Sequence, residues 1–438
     1  MESATSQMRS VKQSGTPSAT TSQNHEPSPT RVQNANPTEQ LIRRKFQEYY
    51  LSLNKEFYIP PHPEEREYGF LLFKEKFMVR HRAFRDPSVL SGAIRDLVPA
   101  HVYFSTAYYQ EPTAAMEEKG WKGADLVFDI DADHLDTPCK PSHDSWKCKG
   151  CGTVGKGGAP KICPKCKNDR MEERTWLCEQ CLQQAKEETN KLLEILYSDL
   201  GVEPSNLRVF FSGHRGYHVH VYSTQLQVLG EEERREIASY VLGQALDPQL
   251  HELDEVNVGG VRVIEGPQLG QPGWRGRMAA GIYDVLGEEG ERLGLSPAQV
   301  KTIKTQDRDE FFKRPFWSSV KGFGLSTWKS LSMKAVDRRS AKIDTVVTTD
   351  VHRLIRLPGT LNGHTGLLTM QVPRERLDEF DPFRDSIAFQ GEMRIRVKDS
   401  PRFQLAERQF GPYLNEEVEL PSYAAMLLLC KRRAEPVG

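Results

Sequence analysis

One segment in the first half of the chain shows the strict alternation of a β-strand. In GADLVFDIDAD, Leu126, Phe128 and Ile130 share one face, while Asp129 and Asp131 share the other. Strand geometry places those two carboxylates roughly 6 to 7 Å apart. This spacing fits one or two divalent cations, although alternating acids can also cover the solvated face of an edge strand.

Other periodic segments predict the surrounding elements. LIRRKFQEYYLSL and CLQQAKEETNKLLEILYSDLG have helical spacing, and the second of these helices should end at Gly201. EREYGFLLFKEKFMVRHRAF predicts paired short strands, and LRVFFSG and YHVHVYS predict two strands with a tight connection. KIDTVVTTDVHRLIRLPGTL also has a strand-like pattern. Helical patterns between Gly/Pro-rich loops in residues 230–330 indicate an inserted helical subdomain.

Taken together, these elements predict an α/β fold in which one main domain is interrupted twice. Residues 1–38 are rich in Ser, Thr, Gln, Asn and Pro and predict a disordered tail. The predicted segments after this tail are the first part of the main domain (39–138), a metal-binding element (139–182), the main domain continued (183–229), a mainly helical subdomain (230–330) and the C-terminal part of the main domain (331–438).

Composition limits the class of protein. The 438 residues include 59 Lys and Arg against 60 Asp and Glu, giving a net charge of -1. This balance excludes a strongly basic coat protein and an acidic solvating tail as descriptions of the whole chain. The sequence has no apolar run long enough for a membrane span and no signal-peptide pattern, so we expect a cytoplasmic protein.

Basic residues cluster locally in spite of the neutral total. Residues 147–174 contain eight basic residues against three acidic ones, and residues 301–342 contain eleven against four. These stretches either follow a phosphate backbone or form solvated faces balanced by neighbouring acids.

Seven of the eight cysteines lie between Cys139 and Cys181, a clustering typical of metal binding rather than of disulfides. Three C-x2-C pairs, together with Cys139 and one histidine, supply the eight ligands of two tetrahedral zinc sites, and an iron-sulfur cluster is less favoured. We call these the inner group (Cys148, Cys151, Cys163 and Cys166) and the outer group (Cys139, His143, Cys178 and Cys181). Closed four-ligand sites are structural, and Cys430 is predicted to be a buried thiol.

The motif SGHRGYHVHV places Ser212, His214, Arg215 and His218 around a glycine-flanked turn. Gly residues allow close backbone approach, and the hydroxyl, imidazole and guanidinium groups together suit a triphosphate. His220 has the alternative of being a core histidine.

A third motif, HRLIRLPGTLNGHTG, follows Asp344 and contains Arg353 and Arg356. A further carboxylate with two guanidinium groups is what a phosphate-and-metal site would still need. Each of these residues taken alone is more often a surface charge.

LVFDIDAD, the cysteine cluster, FFSGHRGYHVHV and KIDTVVTTDVHRLIRLPGTLNGHTGL occur in an order that resembles the catalytic small subunit of archaeal and eukaryotic-type DNA primase, in its archaeal form. The resemblance implies an α/β mixed-sheet primase domain with a zinc element and a small helical subdomain. It implies template-directed synthesis of short primers on single-stranded DNA by two-metal nucleotidyl transfer. Its metal ligands would be Asp129, Asp131 and Asp344, with Mg2+ or Mn2+.

The same resemblance implies nucleotide contacts at Ser212, His214, Arg215, His218, Arg356 and, from EREYGF, Arg66. The family usually carries a histidine where this chain has Asn362. Either Asn362 contacts phosphate, or His364 replaces the histidine through a shifted loop, or the contact is lost.

The outer group resembles the zinc knob of the family, and the inner group is then an insertion with its own zinc. The resemblance also implies a primase large subunit as partner. Two alternatives remain: a repair-type primase-polymerase that extends existing ends, and a non-catalytic zinc-ribbon nucleic-acid-binding protein.

Overall fold

The computed structural model describes residues 36–52, 57–73, 78–287, 293–305, 307–318 and 320–437. Almost all of the predicted N-terminal tail lies outside these residues. Residues Pro37–Gly438 form one compact unit.

The strands pair in small antiparallel sheets. In chain order they are β1 (Tyr68–Leu71), β2 (Met78–Arg82), β3 (His101–Ser105), β4 (Ala107–Tyr109), β5 (Trp121–Ala124), β6 (Leu126–Asp131), β7 (Ser145–Cys148), β8 (Val154–Lys156), β9 (Met171–Arg174), β10 (Leu207–Phe211), β11 (Gly216–Val221), β12 (Asp254–Val258), β13 (Val261–Glu265), β14 (Leu354–Arg356), β15 (Met370–Val372), β16 (Glu392–Ser400), β17 (Phe403–Leu405), β18 (Arg408–Phe410), β19 (Tyr413–Pro421) and β20 (Ala434–Pro436).

The helices of the described residues vary from single turns to five turns. They are α1 (Pro37–Leu51), α2 (Pro87–Leu97), α3 (Lys140–His143), α4 (Glu179–Ser198), α5 (Thr224–Gln227), α6 (Glu231–Val241), α7 (Gly273–Gly287), α8 (Pro297–Thr305), α9 (Arg308–Phe311), α10 (Leu325–Arg339), α11 (Thr345–Thr349), α12 (Pro382–Asp385) and α13 (Ser422–Cys430). None of these helices is both long enough and apolar enough to cross a membrane.

Two four-stranded sheets carry the centre of the molecule, in the orders β14-β3-β1-β2 and β15-β10-β11-β6. All six residues of β11 are buried because the strand lies inside its sheet and is covered on both faces. α4 packs on this sheet through leucines such as Leu192 and Leu196. The α/β fold predicted from the sequence is confirmed, and the strand pairings within its sheets are antiparallel.

Residues 253–336 build a second hydrophobic cluster around Trp274, Trp317 and Trp328. The helices α7 and α10 contribute most of this cluster, and the β12–β13 hairpin also lies within the segment predicted to be mainly helical.

One strand prediction is wrong. Within KIDTVVTTDVHRLIRLPGTL, Thr345–Thr349 forms the short helix α11 and only Leu354–Arg356 is a strand. The side chain of Asp344 accepts a hydrogen bond from the Val346 amide at 2.9 Å and thereby caps the helix. This local cap overrides the strand preference of the β-branched residues that follow it.

Candidate functional site

The paired carboxylates lie on β6, beside the buried strand β11. Asp129 is directly opposite His218, and Asp131 is directly opposite Gly216. The amide of Asp344 donates to the carbonyl oxygen of Asp129 at 2.8 Å, which brings the start of α11 against β6. The three acidic residues that the sequence singled out therefore lie next to one another.

Repulsion and burial both act on these acids. Burial, followed by the charge of Asp344, raises the pKa of Asp129 to about 6. Burial also raises the pKa of Asp131, and the negative charge of Asp129 adds to the shift. Carboxylates held together at this electrostatic cost are well suited to a divalent cation, which removes the repulsion.

His218 extends the carboxylate cluster. Its Nε2 lies 3.6 Å from Oδ1 of Asp129. Burial, with further contributions from Arg356 and Arg353, lowers the pKa of His218 to about 3, so the imidazole is neutral at pH 7. His220, two residues along β11, instead packs against Phe104 and Phe210, as its core alternative predicted.

The turn before β11 depends on its glycines. Gly213 has a φ of 71°, which favours glycine. A Cβ on Gly216 would lie 2.0 Å from the carbonyl oxygen of Ile130, so only glycine lets β11 approach β6 so closely. The hydroxyl of Ser212 accepts hydrogen bonds from the amides of His214 and Gly216, each at 3.3 Å, and so ties the turn together.

A cleft opens beside His214. Its volume is about 710 Å³, and the side chains around it include Asp133, His214, His364, Lys431 and Arg432. Nζ of Lys431 lies 3.0 Å from Nε2 of His214. Burial, with the charge of Arg215, lowers the pKa of Lys431 to about 8. Among the described residues no carboxylate lies within 4 Å of the Lys431 ammonium. Asp133 and Asp144, whose charges act against this pKa shift, pair with Arg215 instead.

Arg356 lies against the same cluster of imidazoles. Its Nη1 contacts Nδ1 of His101, and its guanidinium stacks on Tyr103. The His364 ring lies 4.8 Å from the ring of His101 and 6.2 Å from that of His214. His214 and His364 line the cleft, and Arg356 and His101 lie behind them as a further pair of basic side chains.

The loop that follows Arg356 contains Asn362, at the position where the family usually carries a histidine. Asn362 is fully buried, and its side chain donates to the Ser212 carbonyl oxygen at 3.1 Å and accepts from the His364 amide at 2.9 Å. His364 is exposed and lines the cleft. In this arrangement Asn362 shapes the loop, and His364 is the side chain that faces the open space.

Two predicted nucleotide ligands are placed differently from the expectation. Arg66 is fully buried, and its guanidinium donates to Asp125, to Tyr108 and to the carbonyl oxygens of residues 61, 105 and 106. Arg215 is also fully buried, with Nη1 2.8 Å from Asp133 and 2.9 Å from Asp144. Both guanidinium groups are therefore held inside the fold by protein partners, and neither lines the cleft.

The two cysteine groups form as the spacing predicted, and in each group the four ligand atoms lie within 4.8 Å of one another. The sulfur of Cys139 is 3.4 Å from that of Cys181, and those of Cys151 and Cys163 are 3.7 Å apart. A disulfide requires about 2.05 Å, whereas a tetrahedron with metal–sulfur bonds of about 2.3 Å spaces its sulfurs by about 3.8 Å. The residues therefore fit two metal ions. Cys430 is buried in the core.

The sequence reasoning missed three residues near the carboxylates. The ligand atoms of Asp131, Asp133 and His214 lie within 4.8 Å of one another, so Asp133 can share a cation with Asp131. Lys431 was missed although the basic run that it begins directly follows the apolar helix α13. Asp144, the partner of Arg215, carried no recognisable pattern.

Comparison with known proteins gives a consistent result. The family model for the DNA primase small subunit matches residues 128–373. The chain is 30% identical over 396 residues to the DNA primase small subunit PriS of Nitrosopumilus maritimus, covering 90% of this chain and 98% of that protein. It is 34% identical to the PriS of Cenarchaeum symbiosum (89% and 96% covered) and to that of Methanothrix thermoacetophila (91% and 98% covered).

Proposed function

The chain belongs to the DNA primase small-subunit family and is a catalytic primase subunit, and from that premise we propose that it synthesises short RNA primers on single-stranded DNA. The observation that carries this proposal is the meeting of Asp129, Asp131 and Asp344 beside a cleft lined with basic side chains. Acids and bases arranged in this way suit the transfer of a nucleotide from its triphosphate.

Asp129, Asp131 and Asp344 would hold two divalent cations, Mg2+ or Mn2+. Such ions, when bound, lower the negative charge that builds up as a 3′-hydroxyl attacks an α-phosphate. The protein fixes the positions and charges of the groups around these ions. The β6–β11 register positions the carboxylates, and His218 beside Asp129 stays neutral. No protein nucleophile is needed for this transfer.

The triphosphate would lie in the cleft, against His214, Lys431 and His364, with the charge of Arg356 acting from behind these imidazoles. Lys431 faces the imidazole of His214 without a carboxylate partner within 4 Å among the described residues, so an anionic ligand would complete its environment. Ser212 would act indirectly, through the turn that it stabilises and that positions His214 beside the ligand.

The metal-binding insertion is the part of the surface best suited to template. The inner group holds the three-stranded sheet β8-β7-β9, and exposed basic side chains cover this sheet and its loops: Lys147, Lys149, Lys156, Lys161, Lys165, Lys167 and Arg170. Positive charge spread over an exposed surface attracts a phosphate backbone without reading sequence. We propose zinc in both cysteine groups and a structural role for it.

The relatives are named as small subunits, and we propose that this chain likewise pairs with a primase large subunit. The chain matches these relatives over 96–98% of their length, which favours a primase over the two alternatives that the sequence left open.

Nucleotide incorporation on unprimed single-stranded DNA tests the proposal. The wild-type chain, with Mg2+ or Mn2+, should form short products, and Asp129→Asn should reduce their rate by at least about 1,000-fold while the protein stays folded. Asp96→Asn, a surface change in α2, is the matched control and should leave the rate unchanged. A folded Asp129→Asn variant that primes at the normal rate would contradict the metal assignment. Extension of existing ends without synthesis on unprimed template would instead favour the repair-type alternative.

A further inference from the structure

Arg215 connects two sites that lie on different elements. Its backbone lies directly before β11, and its carbonyl oxygen accepts a hydrogen bond from the Ala132 amide at 3.0 Å. Its side chain turns away from the cleft, so that Nη1 lies between Asp133 and Asp144, and Nη2 lies 3.6 Å from the sulfur of Cys181. Arg215 thus holds the end of the catalytic strand on one side and touches the outer group on the other.

The two carboxylate oxygens of Asp144 serve different partners. Oδ1 lies 2.7 Å from Nδ1 of His143 and accepts a hydrogen bond from the Trp176 amide at 2.9 Å. Oδ2 accepts from Arg215 at 2.9 Å. The side chain of Asp144 is 4% exposed, so the contacts form away from bulk water, where they are strong.

Arg215 is connected to Asp131, the proposed cation ligand, through Asp133. Asp133 lies 2.8 Å from Arg215, and its own amide donates to Oδ1 of Asp131 at 2.9 Å. A path of direct contacts therefore runs from His143 through Asp144, Arg215 and Asp133 to Asp131.

We propose that Asp144 is a positioning residue that couples the outer group to the carboxylates of β6. The inference rests on the proposed role of Asp131 as a ligand of a divalent cation. A carboxylate that orients a metal-bound histidine is a recurring arrangement around metal sites. Here Oδ2 of Asp144 also holds Arg215 in place, so one side chain positions both a ligand of the structural metal and, through Arg215, the carboxylates of β6.

The substitution Asp144→Asn separates the two functions of this side chain. The amide oxygen of Asn can keep the contacts to His143 and Trp176, whereas its NH2 group would face the donors of Arg215. We expect zinc to stay at two per chain. The affinity for Mn2+ alone, measured by the loss of the electron paramagnetic resonance signal of free Mn2+, should fall by about 10- to 100-fold.

The control is Asp199→Asn, which breaks a comparable buried pair. Oδ2 of Asp199 lies 2.5 Å from Nε of Arg277, at the far end of α4 from the outer group. This variant should lose stability without a change in Mn2+ affinity. The proposal is overturned if Asp144→Asn binds Mn2+ like the wild type, or if its affinity falls only together with loss of zinc.

Arg215→Lys gives a second route if Asp144→Asn does not fold. A lysine keeps the charge, but its side chain ends about where the guanidinium carbon of Arg215 lies. Its ammonium therefore falls short of the Nη1 position between the two acids, and Mn2+ affinity should again fall with zinc retained. An unchanged Mn2+ affinity in this variant also overturns the proposal. The Mn2+ titration needs no primer synthesis, so a wild-type chain that fails to prime would refute the proposed function and not this coupling.

Discussion

Gly216 is the position at which a single methyl group should do most damage to the carboxylate site. It lies directly opposite Asp131 in the β6–β11 pairing. Gly216→Ala would place a Cβ atom 2.0 Å from the carbonyl oxygen of Ile130 and 2.9 Å from the Cα of Asp131. Both neighbours are backbone atoms, so neither can rotate out of the way.

The size of the effect follows from these distances. Real Cβ atoms essentially never approach a neighbour closer than 3.0 Å, so β6 and β11 must separate by about 1 Å at this point. Asp131 would move with its strand. A displacement of about 1 Å at reacting groups costs about 100-fold in rate, and overpacking of this kind costs about 1–3 kcal/mol in stability.

The assay pairs nucleotide incorporation on unprimed template with thermal unfolding. Gly92→Ala in α2 is the matched control, because its Cβ would meet nothing within 4 Å. A helix-interior alanine should stabilise the protein by up to about 1 kcal/mol and leave the rate unchanged. If Gly216→Ala unfolds at the wild-type temperature and keeps more than half of the wild-type rate, the close approach of the two strands is not required and the reasoning fails.

Three further predictions concern the metal groups, the cleft and a buried acid. Elemental analysis should give two zinc per chain and one in Cys163→Ser; one zinc in the wild type would mean that one group does not hold metal. Lys431→Ala should raise KM for the nucleotide about tenfold with a smaller change in kcat, and Lys431→Arg should recover most of it; an unchanged KM would remove Lys431 from the triphosphate site. Glu67 is buried, and although burial opposes the shift, hydrogen bonds from Arg80 and Lys119 lower its pKa from 4.5 to about 2. Because the folded-state pKa lies below the unfolded value, the free energy of unfolding of the wild type should fall by about 3 kcal/mol as the pH falls from 4.5 to 2. Urea unfolding of Glu67→Gln should lack this decrease, and an equal decrease in both proteins would contradict the prediction.

The carboxylate pair was predictable because it depends on local information. Alternation along LVFDIDAD fixes which residues share a face, and burial of the apolar residues fixes the face that points away from solvent. The cysteine groups were predictable for a similar reason, since ligand spacing within a short segment constrains the metal geometry directly.

The contacts of Arg66 and Arg215 could not be predicted from the sequence. Whether an arginine meets phosphate or a carboxylate depends on its neighbours, and those of Arg66 and Arg215 include Asp125 and Asp144, which are far away along the chain. No local pattern predicts such pairs. Lys431 was missed for the same reason, because its partner His214 lies more than 200 positions earlier.

The inner group lies wholly inside the loop that the outer group closes, and this nesting sets an order of assembly. The inner ligands span only residues 148–166, whereas 34 residues separate His143 from Cys178. Once the inner ion has folded its ribbon, the free length of that connection is about halved, and the entropic cost of closing the outer loop falls by about 0.6 kcal/mol. Metal binding by the inner group should therefore favour metal binding by the outer group, so that assembly proceeds from the inside outwards.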